Sequence, residues 1–328
     1  MLTDVDDEPD DAQPHGEELE ELRDSDFPGY FSERDNRLYQ VDTATSPYPL
    51  PIDTPENKRV RALHKMLKQL IAGNYIGPVA EVLAPREGQQ KVAIDLGCGT
   101  GDWIMEMAKD FPHVSFHGLD IVPIATRYPD ANVQFELHDI GEPMRWANGS
   151  VNLIHARSIF MTVRDYSVIV QESARMLKPG GMYLSGEWGQ FPAFHPHFPQ
   201  AEGHPGVHVP GLDRFYRMLR DVLALRGIIS PVASTVDQRL RNSGSFTDIQ
   251  EHIFYMPIGS WADDPMHQTL GKRNRLAQTN FMNSIRPIFV AAGVTQRDLE
   301  QLYNECWTEM YGASGLVSIY YLVSACRI

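Results

Sequence analysis

Val92-Ala93-Ile94-Asp95-Leu96-Gly97-Cys98-Gly99-Thr100-Gly101-Asp102 decides how this 328-residue chain is read. The small apolar residues before Asp95 predict a buried strand. Three glycines at alternate positions follow, and then a helix-like run, Trp103-Ile104-Met105-Glu106-Met107-Ala108. A strand that stops at glycines and opens a helix lets backbone approach a nucleotide closely. The spacing separates two kinds of nucleotide. A dinucleotide turn requires Gly-x-Gly-x-x-Gly. Here the frame is Gly97-x-Gly99-x-Gly101, and position 102 is Asp. Asp95, two residues before the first glycine, suits a cationic ligand better than a pyrophosphate. An NAD-linked enzyme is therefore disfavoured.

Working outward, strands and helices alternate. Strands are predicted at 91–96, 114–120, 133–138, 151–156 and 182–187, with helices at about 101–110 and 165–177. Such alternation predicts an α/β fold with a mostly parallel sheet and right-handed crossovers. Lys178-Pro179-Gly180-Gly181 ends the second of these helices and turns the chain. The second half reads as a loop rich in Pro, His, Phe and Gly at 189–211 and a helix at 212–226. A strand at 247–255, helices at about 266–292 and 296–310, and a final strand at 316–325 complete it. These are the last two strands of the sheet with a helical lid between them. Upstream, 27–53 reads as irregular chain with aromatic anchors. A helix capped by Asp53 or Thr54, with Pro55 in its first turn, then carries Leu63, Met66, Leu67 and Leu70 on one face. A short helix at about 76–83 follows.

Several acids fall at the carboxyl ends of the predicted parallel strands, the edge where open α/β sheets bind ligands. Asp120, with Ile121 after it, ends the second strand twenty-five residues beyond Asp95. A carboxylate there accepts ribose hydroxyls in nucleotide-binding α/β folds. Asp139 and Ile140 end the third strand. His155 lies near the end of the fourth, with Arg157 beyond it, where Arg157 meets a ligand carboxylate or a neighbouring acid. Glu187 ends the fifth.

The glycine turn with these acids resembles the class I S-adenosylmethionine methyltransferases. The resemblance implies a Rossmann-like, seven-stranded, mostly parallel sheet with helices on both faces, an N-terminal helical arm and an inserted helical lid. It implies S-adenosyl-L-methionine as cofactor, held by Asp95, Gly97, Cys98, Gly99, Gly101, Asp120, Ile121, Asp139, Ile140 and Arg157. In that family the acid after the third strand receives the adenine amino group, and the next residue packs the ring. Tyr48-Pro49-Leu50-Pro51-Ile52-Asp53-Thr54-Pro55-Glu56, His155-Ala156-Arg157, Phe246-Thr247-Asp248-Ile249 and Pro257-Ile258-Gly259-Ser260-Trp261 are similar to segments of one branch, the LaeA-like fungal methyltransferases of secondary metabolism. Ile52 stands where that branch usually has Asn. The branch includes regulators that work with protein partners and enzymes that methylate small natural products.

Methyl transfer is an in-line displacement, so alignment supplies much of the rate. A general base is needed only where the acceptor must lose a proton. Glu187 and His155 are the first candidates, and His195, His197, His204 and His208 are further ones. Tyr39, Tyr48, Trp188, Phe191, Phe194 and Phe198 are candidate walls for an acceptor. His195-x-His197 lacks further ligands at metal spacing, so no metal is expected.

Of the net charge of −14, −11 falls in residues 1–26, which read as a disordered acidic tail. The body is nearly neutral, which argues against nucleic acid as a partner. Three scattered cysteines suggest a reducing compartment. No stretch reads as a membrane span or signal peptide. The expected organisation is the tail 1–26, an arm and helices at 27–90, and a methyltransferase domain at 91–328 with lid elements at about 189–230 and 260–311. The function expected is methyl transfer to a small-molecule O or N acceptor. The alternative is a regulator acting through protein partners. The expected location is cytoplasmic or nuclear.

Overall fold

The computed structural model describes residues 19–41, 48–229 and 231–328. Most of the acidic tail therefore lies outside the described residues. The arm is more regular than its composition suggested. β1 (Phe31–Arg34) and β2 (Arg37–Gln40) form a hairpin turned at Asp35 and Asn36, whose φ angles are 51° and 57°. Short polar side chains tolerate this left-handed backbone. α1 (Thr54–Leu70) starts as expected, with the Asp53 carboxylate accepting the Glu56 N–H at 3.1 Å. α2 (Val79–Val82) is shorter than predicted.

The sheet begins with β3 (Lys91–Leu96), α3 (Asp102–Asp110), β4 (Val114–Asp120) and β5 (Val133–Leu137). It continues with β6 (Val151–Arg157), α4 (Tyr166–Met176), β7 (Leu177–Trp188) and the two-residue β8 (Ala193–Phe194). Then come α5 (Pro210–Leu225), α6 (Val236–Ser243) and β9 (Phe246–Pro257). The lid helices α7 (Pro265–Ala291) and α8 (Gln296–Gly312) precede β10 (Leu316–Arg327). The strand order is β5-β4-β3-β6-β7-β10, with β8 and β9 both paired to β10. Strands β3 to β7 pair in parallel, and β10 runs antiparallel to β7 and β9. The seven expected strands are thus present, and β8 adds a short eighth. Residues Lys178 to Gly181 bulge out between the pairs Val151–Leu177 and Leu153–Met182, so their turn lies inside β7.

Helices cover both faces, as burial of β3 and β6 on two sides requires. On one face Trp103, Ile104 and Met107 of α3 pack with Val79 and Phe116. On the other, α4, α5 and the lid helices share one large apolar core. The chain runs from β3 outward to β5, then returns to β6 on the far side of β3. The strand order therefore reverses between β3 and β6, the point where such sheets open a ligand crevice. The arm closes over it. Arg37 pairs with Asp53, Arg59 with Glu56, and Ser284 of α7 donates to Glu56 at 2.8 Å. α6 was not anticipated; it ends at Gly244, with φ 64°.

Candidate cofactor and acceptor site

β3 delivers the glycine turn to the crevice. Gly97 has φ 66°, and a Cβ there would come within 2.8 Å of Ile159 Cγ2. Backbone conformation and space both exclude a side chain at that position. Gly99, with φ 55°, instead faces open space on the cavity wall. β4 brings Asp120 to the same turn. Its carboxylate accepts the N–H of Gly99 at 2.9 Å and that of Val122 at 3.2 Å. Burial pushes this carboxyl up to about 6, against the opposing pull of those N–H groups. Burial, with Asp120 and Asp95 nearby, drives the Cys98 thiol well above its ordinary range, which disfavours the thiolate.

A cavity of about 200 Å³ runs from this turn into the space beneath the arm and lid. Asp95, Gly97, Cys98, Gly99, Asp120, Ile121 and Arg157 line it. Gly101 does not; it is packed against Phe135. Asp139 and Ile140 also stand behind the lining. Asp139 accepts the N–H of Gly141 at 2.9 Å, and its buried Oδ2 has no hydrogen-bond partner among the described residues. Arg157 donates to Nδ1 of His64 at 3.2 Å and forms no ion pair among the described residues.

The two candidate bases sit away from the cavity lining. His155 Nδ1 lies 2.7 Å from Asp95 Oδ1, and its ring stacks on Trp103 at 3.7 Å. Burial lowers its pKa, so the neutral ring donates Nδ1–H to Asp95. Glu187 is fully buried and accepts the Ile159 N–H at 2.9 Å. Burial pushes its carboxyl up to about 8. None of the loop histidines lines the cavity. No cluster of three metal-ligating side chains exists among the described residues.

Of the expected walls, Tyr48 and Trp188 line the cavity, and Tyr39, Phe191, Phe194 and Phe198 do not. Tyr39 carries Arg34 over its ring, Phe194 meets His208, and Phe198 meets Trp261. The other walls are Phe160, Tyr216 and Phe281, with Gln190 and Gln278 among them. The sequence signal for these was faint. Tyr216 and Leu219 on α5, and Gln278 and Phe281 on α7, are three apart, which puts each pair on one helix face.

Residues 87–201 match the family model described as a methyltransferase domain. This stretch is a methyltransferase domain. It contains the glycine turn, Asp120 and strands β3 to β7. Over a longer span, the chain is similar to the secondary metabolism regulator laeA of Coprinopsis cinerea. The two are 26% identical over 80% of this chain and 66% of that one. The chain thus spans slightly less than two thirds of that regulator's length. It is 25% identical to methyltransferase pytC of Aspergillus terreus, over 73% of this chain and 68% of that one. With methyltransferase str2 of Strobilurus tenacellus the figures are 23%, 79% and 89%. Among solved structures, phosphoethanolamine N-methyltransferase 2 of Haemonchus contortus, in complex with S-adenosyl-L-methionine, aligns over 92% of this chain and 72% of that one. Its TM-score is 0.46, at 14% identity.

Proposed function

We propose that the protein methylates a small, largely apolar molecule at oxygen or nitrogen. The observation that carries this reading is the continuity of one cavity from the glycine turn to a chamber walled by Phe160, Tyr216 and Phe281. That chamber lies under the arm and lid helices, and a concave, mostly apolar lining suits a small acceptor better than a folded protein.

The side chains fit the cofactor. Its ribose hydroxyls are donors that suit Asp120, which lines the cavity. Arg157, which pairs with no acid among the described residues, suits the carboxylate of the amino-acid half. When bound, S-adenosylmethionine supplies an electrophilic methyl group. The chain's own contribution is to hold and orient the acceptor and to exclude water. The positions of Glu187 and His155 off the lining support positioning roles for them. A screen of phenolic and amine acceptors with methyl-labelled S-adenosylmethionine tests the proposal. Label in an extractable small molecule supports it, and label only in protein contradicts it.

A second reading is supported by relatives named as secondary metabolism regulators. In it the domain acts through a protein partner, in the nucleus or cytoplasm. Co-purification of a stoichiometric partner, together with a silent acceptor screen, would favour it. No helix among the described residues is long and apolar enough to cross a membrane.

A further inference from the structure

Two residues that line the cavity carry buried polar atoms with no hydrogen-bond partner among the described residues. Gln190 follows β7 and is 3% exposed, and both polar atoms of its side-chain amide are buried without a partner among the described residues. Its backbone is fixed on two sides. Arg220 of α5 donates to the Gln190 carbonyl at 2.8 Å, and the neighbouring Gly189 N–H reaches Ile319 of β10 at 2.8 Å. Two residues earlier, the Trp188 indole N–H is also buried without a partner among the described residues. Both residues line the cavity. By contrast Gln278, which also lines it, is already engaged, donating to Ser318 at 3.1 Å and accepting from Tyr216 at 3.4 Å. Of the two arginines that line the cavity, Arg59 is paired with Glu56, and Arg157 is the one assigned above to the cofactor.

A buried amide with no partner is costly unless something supplies one. We infer that Gln190 and Trp188 form the specificity subsite for the acceptor, and that they recognise a neutral hydroxyl or carbonyl on an apolar ring. The amide NH₂ and the indole N–H donate to an oxygen of the acceptor, and the amide oxygen accepts from a hydroxyl. A charged acceptor is disfavoured, because Arg59 is already paired with Glu56 and the walls include the aromatic Phe160, Tyr216 and Phe281. This inference rests on the small-molecule reading above.

The test is calorimetry on the full chain saturated with S-adenosylhomocysteine, using 1-naphthol and naphthalene as probes. Naphthol should bind at least about tenfold more tightly than naphthalene, the effect of satisfying a buried polar group. Gln190→Leu should narrow that ratio to within about threefold while leaving S-adenosylhomocysteine affinity unchanged. It should also raise Tm, since it removes an unpaired amide from a buried position. Trp188→Phe should narrow the ratio partially. Failure of naphthol to bind, a ratio unchanged in Gln190→Leu, or a lowered Tm with the ratio intact would overturn the inference. The two readings fail separately. If naphthol preference depends on Gln190 but no acceptor is ever methylated, the subsite stands and the small-molecule methylation proposal falls. If acceptors are methylated with the same selectivity by Gln190→Leu, the reverse holds.

Discussion

Oδ2 of Asp120 lies 2.9 Å from the backbone nitrogen of Gly99, tying the end of β4 to the middle of the glycine turn. One carboxylate thereby shapes the turn and faces the cavity. Asp120→Ala should weaken S-adenosylhomocysteine binding by about 1–3 kcal/mol, through a lost ribose acceptor and an unpaired Gly99 N–H. The pH dependence has a definite sign. The free carboxyl titrates at about 6, and ribose hydroxyls favour its ionised form. Affinity should therefore be full above that pH and decline below it. Calorimetric titrations across pH 5 to 8 check this, and a flat profile would separate Asp120 from the ribose.

Glu187 predicts a second pH effect, on stability. An unfolded glutamate ionises near its ordinary value of 4.5, whereas the buried carboxyl holds its proton to about 8. Its stabilising contribution is complete below 4.5 and is lost as pH rises through that window. Glu187→Gln keeps an acceptor for the Ile159 N–H and removes the titration. Thermal melts at pH 5 and pH 8 should show a smaller difference in the variant than in the parent. Transfer activity should persist within a few-fold, whereas loss of a true general base costs about 10²–10⁴-fold.

Arg157 should distinguish the two halves of the cofactor. Arg157→Met is expected to weaken S-adenosylhomocysteine by about 1.5–3 kcal/mol, the range for hydrogen bonds to charged groups. Adenosine, which has no carboxylate, should bind the variant as it binds the parent. Equal weakening of both ligands would mean that Arg157 supports the fold through His64 instead.

Gly97→Ala combines a left-handed backbone with a 2.8 Å approach to Ile159. The strain of an L-residue in that region alone costs about 1–2 kcal/mol. A Tm lowered in the absence of ligand, with cofactor affinity reduced further, is the expected result.

The sheet was legible because its signals are local. Strands 91–96 and 114–120 were read to the residue, and the lid helices to within two residues. Charge-rich α6 (Val236–Ser243) offered only Val236 and Leu240 as buried positions, too few for a periodic stripe. The β1–β2 hairpin depends on two non-glycine residues taking positive φ, which composition does not announce. The acceptor walls were the least legible. Aromatic content pointed to the loop at 189–211, yet Phe194 and Phe198 spend their rings on His208 and Trp261. Besides Tyr48 and Trp188, the walls come from Phe160 after β6 and from α5 and α7, whose inward faces are set by packing between elements far apart in sequence. Gln190 gave no sequence signal, because an amide reads alike whether exposed or buried. His155 and Glu187 stood at strand ends, where ligands gather, but their side chains turn into Trp103 and Ile159.

The claim on which the rest depends is that the turn at 95–102, with Asp120, is built for S-adenosylmethionine. Calorimetry of the unmodified protein with S-adenosylhomocysteine and with NAD tests it most directly. Saturable one-to-one binding of S-adenosylhomocysteine, with no heat from NAD, is the predicted result; binding of NAD with none of S-adenosylhomocysteine would contradict it.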